Sequence, residues 1–216
     1  MKKHFMEKNI IYYTSVRPEI VSLVPENIKT VLDIGCGEGG FLKAVKNKTK
    51  AETWGVEMMS ELEDVAKANT DHFLSGKIED VLTDLPDNYF DCITLNDVLE
   101  HLIEPTDVLK LIKPKLSPKG VLIASIPNVR FVSNLRRLLI QKDWQYCESG
   151  ILDSTHLRFF TQKSMKRMFE DAGYEVLYQK GLNKDKSLKF RIMNVLTCYF
   201  FNDARYVRFA NVTKRK

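Results

Sequence analysis

Cysteine is scarce and scattered in this chain. Cys36, Cys92, Cys147 and Cys198 show no C-x-x-C spacing, which argues against a zinc knuckle and against a disulfide framework and leaves four reduced thiols. Long hydrophobic runs are missing too. The longest apolar segment, within "KSLKFRIMNVLTCYFF", holds about a dozen residues, roughly 18 Å as a helix against the ~30 Å core of a bilayer, so no membrane span is expected. It reads as a buried or dimer-contacting helix in preference to one lying on a membrane surface. The N-terminus, "MKKHFMEKNIIYY", lacks the sustained apolar region and small-residue cleavage site of a secretory signal, and a cytoplasmic location follows. Internal repeats, low-complexity tracts and interdomain linkers are also lacking, and 216 residues of ordinary globular composition suit a single domain spanning residues 1–216. Charge of one sign is only mildly in excess. The net charge is +5, much of it in the C-terminal third at Lys184, Lys186, Lys189, Arg191, Arg205, Arg208, Lys214, Arg215 and Lys216. Such a face reads as solvated basic surface more readily than as a nucleic-acid interface.

What is present is an alternation. "KTVLDIG", "AETWGVE", "DHFLSGK", "FDCITLN" and "GVLIASIP" are short apolar runs bounded by turn residues, and each is followed by a segment able to cross back over a sheet. That rhythm predicts an α/β fold, with a parallel sheet covered by helices on both faces. "GGFLKAVKNK", "SELEDVAKA" and "EPTDVLKLIKPKLSPKG" supply helices, the second with Ser60 and Glu63 in capping-box spacing. After "SIPN" the rhythm breaks into an irregular, aromatic-rich passage holding one helix, Phe131 to Ile140, before a helix capped by Thr161 resumes. We take residues 128–160 as a substrate-side insert, since ligands of such sheets bind outside the carboxyl ends of the strands. "YEVLYQKG" and "RYVRFANVTK" read as two further strands.

The stretch "VLDIGCGEGG" places Gly35, Gly37 and Gly40 in the G-x-G-x-x-G spacing of dinucleotide sites, yet Asp33 stands two residues before the first glycine. At roughly 6 Å and an effective dielectric of about 20, a carboxylate and a phosphate repel by about 3 kcal/mol. Glu38 adds to the mismatch. A ligand offering positive groups fits better, and S-adenosylmethionine does so through its ammonium and sulfonium. Glu57 ends the second strand about twenty residues on, where α/β nucleotide folds hydrogen-bond ribose hydroxyls.

With those residues in place, "VLDIGCGEGG", "WGVE", "FDCITLNDVLEHLIEP" and "PKGVLIASIPN" resemble, in order, the motifs of class I S-adenosylmethionine-dependent methyltransferases, over roughly Thr30 to Tyr178. The resemblance implies a Rossmann-like, doubly wound, seven-stranded and mostly parallel sheet whose last strand is antiparallel. It implies that Asp33, Gly35, Cys36 and Gly37 surround the methionine part of the cofactor, that Glu57 binds its ribose and Met58 flanks its adenine. Ile78 and Glu79 occupy the segment that packs on or hydrogen-bonds the adenine in the family, although the Asp common there is shifted or absent. Asn96 would offer backbone contacts near the sulfonium. Residues 1–28 resemble the leading cap of small-molecule and glycan-modifying members, with Tyr13 or Arg17 placed to touch the cofactor or, equally, a helix packing only on the sheet edge.

Methyl transfer to an O or N nucleophile needs an in-line acceptor and often a base. His101 and His156 are the candidates, since imidazole titrates near neutrality. Asp97, Glu100 and His101 fall at i, i+3 and i+4, and with His156 they form a mixed oxygen and nitrogen set for a divalent metal. That set is similar to the Glu-x-x-Glu-His pattern with a later His of metal-dependent RNA 2′-O-methyltransferases and quinone-pathway O-methyltransferases, with Asp97 in place of the first Glu. Asp97 and Glu100 also read as a helix cap with an acid in its first turn. Trp144, Tyr146, Arg158, Phe159 and Phe160 suit a sugar, a ring or a phosphorylated acceptor, or else a packed lid. The run from "IPNVRF" to "GILDSTHLRFFT" looks like methyltransferases of bacterial surface-polysaccharide synthesis, which points to a sugar or sugar-linked small-molecule acceptor. RNA as acceptor, a non-catalytic cofactor-binding protein and a nicotinamide oxidoreductase are the rival readings.

Overall fold

Neighbouring residues of the central strands are buried on opposite sides. Leu32, Ile93 and Leu122 join one core cluster, whereas Val31, Cys92 and Ile123 join another. A strand alternates its side chains between faces, so two cores mean a sheet covered twice. The computed structural model describes residues 16–216, the Lys189 side chain excepted. Its seven strands are β1 (Thr30–Ile34), β2 (Glu52–Glu57), β3 (His72–Ser75), β4 (Phe90–Asn96), β5 (Leu116–Pro127), β6 (Tyr174–Lys184) and β7 (Tyr206–Arg215). They lie in the order β3-β2-β1-β4-β5-β7-β6. Strands β1 to β5 pair in parallel, and β7 runs antiparallel to both β5 and β6. The expected Rossmann-like sheet with an antiparallel last strand is therefore observed.

The helices among the described residues are α1 (Pro18–Val21), α2 (Gly40–Thr49), α3 (Glu63–Asn69), α4 (Ile78–Val81), α5 (Pro105–Ile112), α6 (Val132–Arg136), α7 (Gln162–Asp171) and α8 (Leu188–Leu196). One core sets Val108, Leu109 and Ile112 of α5 and Met165 and Phe169 of α7 against the sheet. The other sets Ile20 of α1 and Phe41, Leu42 and Val45 of α2 against it. Each such side chain contributes roughly 1.5–3 kcal/mol when fully buried.

Thr161 caps α7 as its sequence predicts, in a full capping box with Ser164. Two expectations need correction. Ser60 makes no cap: Ser60–Leu62 form a 3-10 turn ahead of α3, and Glu63 pairs instead with Lys67 at 2.6 Å. The backbone N–H that would orient that turn, Met59 N, donates to Glu57 Oε1. Helix α8, read as buried or dimer-contacting, is not buried within this chain: only Phe190 and Asn194 of it are inside, while Leu188, Ile192, Val195 and Leu196 are exposed among the described residues. The helix foreseen from Phe131 to Ile140 is α6 followed by a π-helical turn, Arg137–Gln141. Among the described residues no helix is long and apolar enough to cross a membrane.

Candidate active site

The carboxyl ends of β1, β2 and β4 meet at the glycine loop. Gly35 has φ 74°, and a Cβ there would come within 2.6 Å of Val98 Cγ2, so the turn needs glycine for both conformation and space. Gly37 also has positive φ, 55°, and its N–H donates to Glu57 Oε2 at 2.9 Å. The other oxygen of Glu57 accepts from Met59 N at 3.0 Å. Glu57 thus ties the loop to the end of β2, and each of its oxygens keeps a second lone pair for a ligand hydroxyl.

Asp33 lies deeper than its sequence position suggests. It is 1% exposed, within β1, and not at an open lip. Parallel register sets it beside Thr94 of β4, whose hydroxyl donates to Asp33 Oδ1 at 2.6 Å, and Asn96 Nδ2 donates to the same oxygen at 3.3 Å. Burial pushes its carboxyl up to about 7, although the Thr94 hydrogen bond and the Arg17 charge pull it down; Glu57 adds to the rise. Burial thus opposes ionisation of this carboxyl, and its fixed negative charge is smaller than the sequence implies. Asn96 Oδ1 is buried without a partner. Cys36 is buried behind the loop, its thiol pushed up by burial and by the Asp33 and Glu57 charges. Met58 is 64% exposed at the rim, Ile78 is buried at the start of α4, and Glu79 is exposed. Tyr13 lies outside the described residues.

Asp97, Glu100, His101 and His156 divide into two groups. Asp97, at φ 55°, turns away from the strand, and its Oδ2 receives Arg17 Nη2 at 2.6 Å and Arg208 Nη1, while Ser125 Oγ donates to Oδ1 at 3.3 Å. Two guanidiniums occupy that carboxylate, so it stands outside the cluster of Glu100, His101 and His156, whose donor atoms lie within 4.8 Å of one another. Nor does Asp97 cap a helix, because the turn Leu99–His101 is 3-10 and has no side-chain cap. Glu100 is 1% exposed, and neither of its carboxylate oxygens has a hydrogen-bond partner. Burial, then the Asp97 charge, drives its carboxyl well above the usual range.

His156 reaches Glu100 from the insert, with Nε2 4.0 Å from Oε1. Its Nδ1 lies 3.0 Å from the carbonyl of Ile151, which can only accept; the proton therefore sits on Nδ1 and Nε2 presents a bare lone pair. Burial holds its pKa below the ordinary value against the Ile151 hydrogen bond, which raises it, and the His101 charge adds to the lowering. His101 stands edge-on to it at 4.7 Å between ring centroids, its Nδ1 3.3 Å from the Thr155 carbonyl. The insert is zipped to this turn through Leu157 N and Arg158 N, both donating to Glu100 O. Trp144 and Tyr146 pack against Phe159 at 5.3 and 6.1 Å, and Phe159 lies 6.4 Å from the His156 ring. Arg158 is tied to the Ile103 carbonyl, and Phe160 belongs to the core.

Thr94 and Arg208 escaped the sequence reading. Thr94 was legible as the lone hydroxyl in an apolar strand. Arg208 was not, being 111 positions from Asp97. Arg208, Lys214 and Arg215 of the basic tail are engaged with Asp97, Glu175 and Asn88.

A seven-stranded sheet of this order, with a left-handed glycine turn at β1 and paired acids at the ends of β1 and β2, defines a class I S-adenosylmethionine-dependent methyltransferase. The chain belongs to the family described as a methyltransferase domain, whose profile matches residues 7–179. It is 34% identical over 184 residues to the ubiquinone biosynthesis O-methyltransferase of Haemophilus ducreyi, covering 80% of this chain and 76% of that protein. It is 35% identical over 109 residues to the protein of the same name from Actinobacillus pleuropneumoniae, there covering 46% of each chain. Among solved structures, a SAM-dependent methyltransferase from Archaeoglobus fulgidus superposes with a TM-score of 0.71 at 19% identity, over 98% of this chain and 99% of that one, a likeness of fold.

Proposed function

We propose that the protein transfers the methyl group of S-adenosylmethionine to a hydroxyl of a small molecule, and that Glu100, His101 and His156 activate that hydroxyl. The observation that carries the reading is Glu100: a buried carboxyl with two unpartnered oxygens, facing a neutral His156 whose Nε2 lone pair is free. Groups left bare at such cost, several kcal/mol for a buried charge, are completed by a ligand. The Haemophilus ducreyi and Actinobacillus pleuropneumoniae relatives are named as O-methyltransferases, which favours a hydroxyl over an amine.

The cofactor fits the observed cradle. Gly35 leaves space that a Cβ would fill, and Asn96 Oδ1 lacks a donor among the described residues. Asp33, Gly35, Cys36, Gly37 and Asn96 would hold the methionine part, Glu57 the ribose, and Met58, Ile78 and Glu79 the adenine. S-adenosylmethionine supplies an electrophilic methyl on a sulfonium. Arg17, at the entry to α1, is tied to the end of β4 through Asp97. His156 Nε2 receives the acceptor's proton, and Glu100 steadies the resulting imidazolium.

The same donors fit a divalent cation: one bare carboxylate and two imidazoles, both with Nδ1 on a backbone carbonyl. Glu100, His101 and His156 would hold it, and it would supply charge that acidifies the acceptor hydroxyl. Trp144, Tyr146 and Phe159 offer ring faces beside the site, so a cyclic acceptor, a phenol or a sugar, suits it. Arg208, Lys214 and Arg215 are already engaged and add nothing to an RNA acceptor. The free thiols of Cys36, Cys92, Cys147 and Cys198 suit a reducing, cytoplasmic compartment.

Calorimetry against S-adenosylhomocysteine and NAD, followed by labelled-methyl transfer to a panel of phenols, sugars and amines, tests the reading. Homocysteine-compound binding with label on a hydroxyl is expected; NAD uptake, or label only on amines, would overturn it.

A further inference from the structure

Helix α8 turns its apolar residues outward. Leu188, Ile192, Val195 and Leu196 follow at i, i+4, i+7 and i+8, one face of a helix, and are 67, 53, 58 and 78% exposed, while Phe190 and Asn194 opposite them are buried. Tyr199 and Phe200 extend the exposed strip. Beside it runs a groove of about 550 Å³ whose lining includes Lys184, Lys186, Arg191, Asn194, Tyr199 and Arg205. Two of its polar atoms, Asn194 Oδ1 and Arg205 Nε, are buried and have no partner. Asn194 itself is 4% exposed. The nearby acids are already used: Asp203 pairs with Arg130 at 2.7 Å, and Asp185 accepts from Ser187 N at 2.6 Å.

We propose that α8 and this groove form a docking surface for an anionic lipid bilayer. The apolar face enters the acyl boundary, and Lys184, Lys186, Arg191 and Arg205 meet the lipid phosphates. A second copy of the chain fits this face poorly. A two-fold contact would set the patch against itself, bringing its cations onto one another. The surface lies on the same rim as the candidate active site: α8 links β6 to β7, and Arg130, at the root of the insert, stacks over Phe200 and Phe201, each 5.9 Å away. An acceptor resident in a bilayer would therefore be delivered beside the insert.

Co-sedimentation with phosphatidylcholine vesicles, with and without phosphatidylglycerol, tests the proposal on the full chain. Binding to the anionic vesicles only is expected, with release at high salt. Leu196→Glu and the Lys184→Glu, Lys186→Glu pair should each weaken it at least about tenfold, with thermal unfolding and S-adenosylhomocysteine affinity unchanged. No binding to anionic vesicles, equal binding to neutral ones, or variants that bind like the parent would refute it. So would light scattering that shows a dimer split by Leu196→Glu. No methyl transfer is measured, so failure here leaves the proposed reaction standing, and failure of that reaction leaves this surface standing.

Discussion

Four buried carboxyl groups line the carboxyl rim of the sheet; Asp97 is taken by two arginines, and of the others the two on the proposed cofactor side differ from the one on the insert side. Asp33 and Glu57 are held by Thr94, Asn96, Gly37 and Met59, all from β1, β2, β4 or the turns that end them. Among the described residues Glu100 has no hydrogen-bond partner for either oxygen, and the imidazole nearest it comes from an irregular passage over fifty residues away. The first pair is organised before any ligand arrives. Glu100 is left for a ligand to complete. Pre-formed hydrogen bonds suit a cofactor that is always the same molecule, while an orphaned carboxyl under a replaceable insert suits a partner that varies.

Asp33→Asn should break the cofactor side most severely. Losing this buried carboxylate below the glycine turn should weaken S-adenosylmethionine binding by about a hundredfold or more, roughly 3 kcal/mol, as read by calorimetry. The same change should raise the melting temperature of the empty protein at pH 8, because a buried charge is removed. A variant that binds as tightly as the parent would erase the distinction drawn between the two sides.

Glu100→Gln probes the other side. It should lower methyl transfer about 10–100-fold and abolish any zinc or manganese uptake seen by calorimetry, with cofactor affinity unaltered. If it weakens the cofactor instead, Glu100 belongs with Asp33.

A pH series gives the smallest effect and the finest resolution. With Asp33 near 7 in the empty protein, a cationic ligand binds the ionised form, so affinity should fall about tenfold between pH 8 and pH 6. Stability of the empty protein should run the opposite way. Above about pH 4 the unfolded chain has released the protons that folded Asp33 and Glu100 still hold, so unfolding free energy decreases as pH rises from about 4 to about 7. In Asp33→Asn the affinity trend should vanish and the stability trend should shrink to the Glu100 contribution.

The strands and the glycine loop were legible because their determinants are local: short apolar runs, the Gly35 and Gly37 turn, and Thr161 before an amphipathic helix. The pairing of Glu100, His101 and His156 was legible only as a resemblance, since nothing local brings the insert back to β4. Asp97 misled the reading because i, i+3, i+4 spacing presumes an α-helix, whereas the chain there takes a positive φ and a 3-10 turn. Arg208, which claims that carboxylate, arrives on an antiparallel strand whose neighbour in the sheet no local signal announces. The apolar content of α8 was plain, but amphipathic residues with no covering partner look in sequence like any core helix.

The insert leaves the sheet and rejoins it at one place: Asn128 and Phe160 form a bridge, and Val129 N donates to the Phe160 carbonyl. Between those ends it is fastened again, with Leu157 N and Arg158 N on the Glu100 carbonyl and Arg158 on the Ile103 carbonyl, so it behaves as a cartridge with a fixed mouth and an inner latch. A graft cut between Asn128 and Phe160 that keeps residues 156–158 is the natural unit for giving this scaffold a new acceptor.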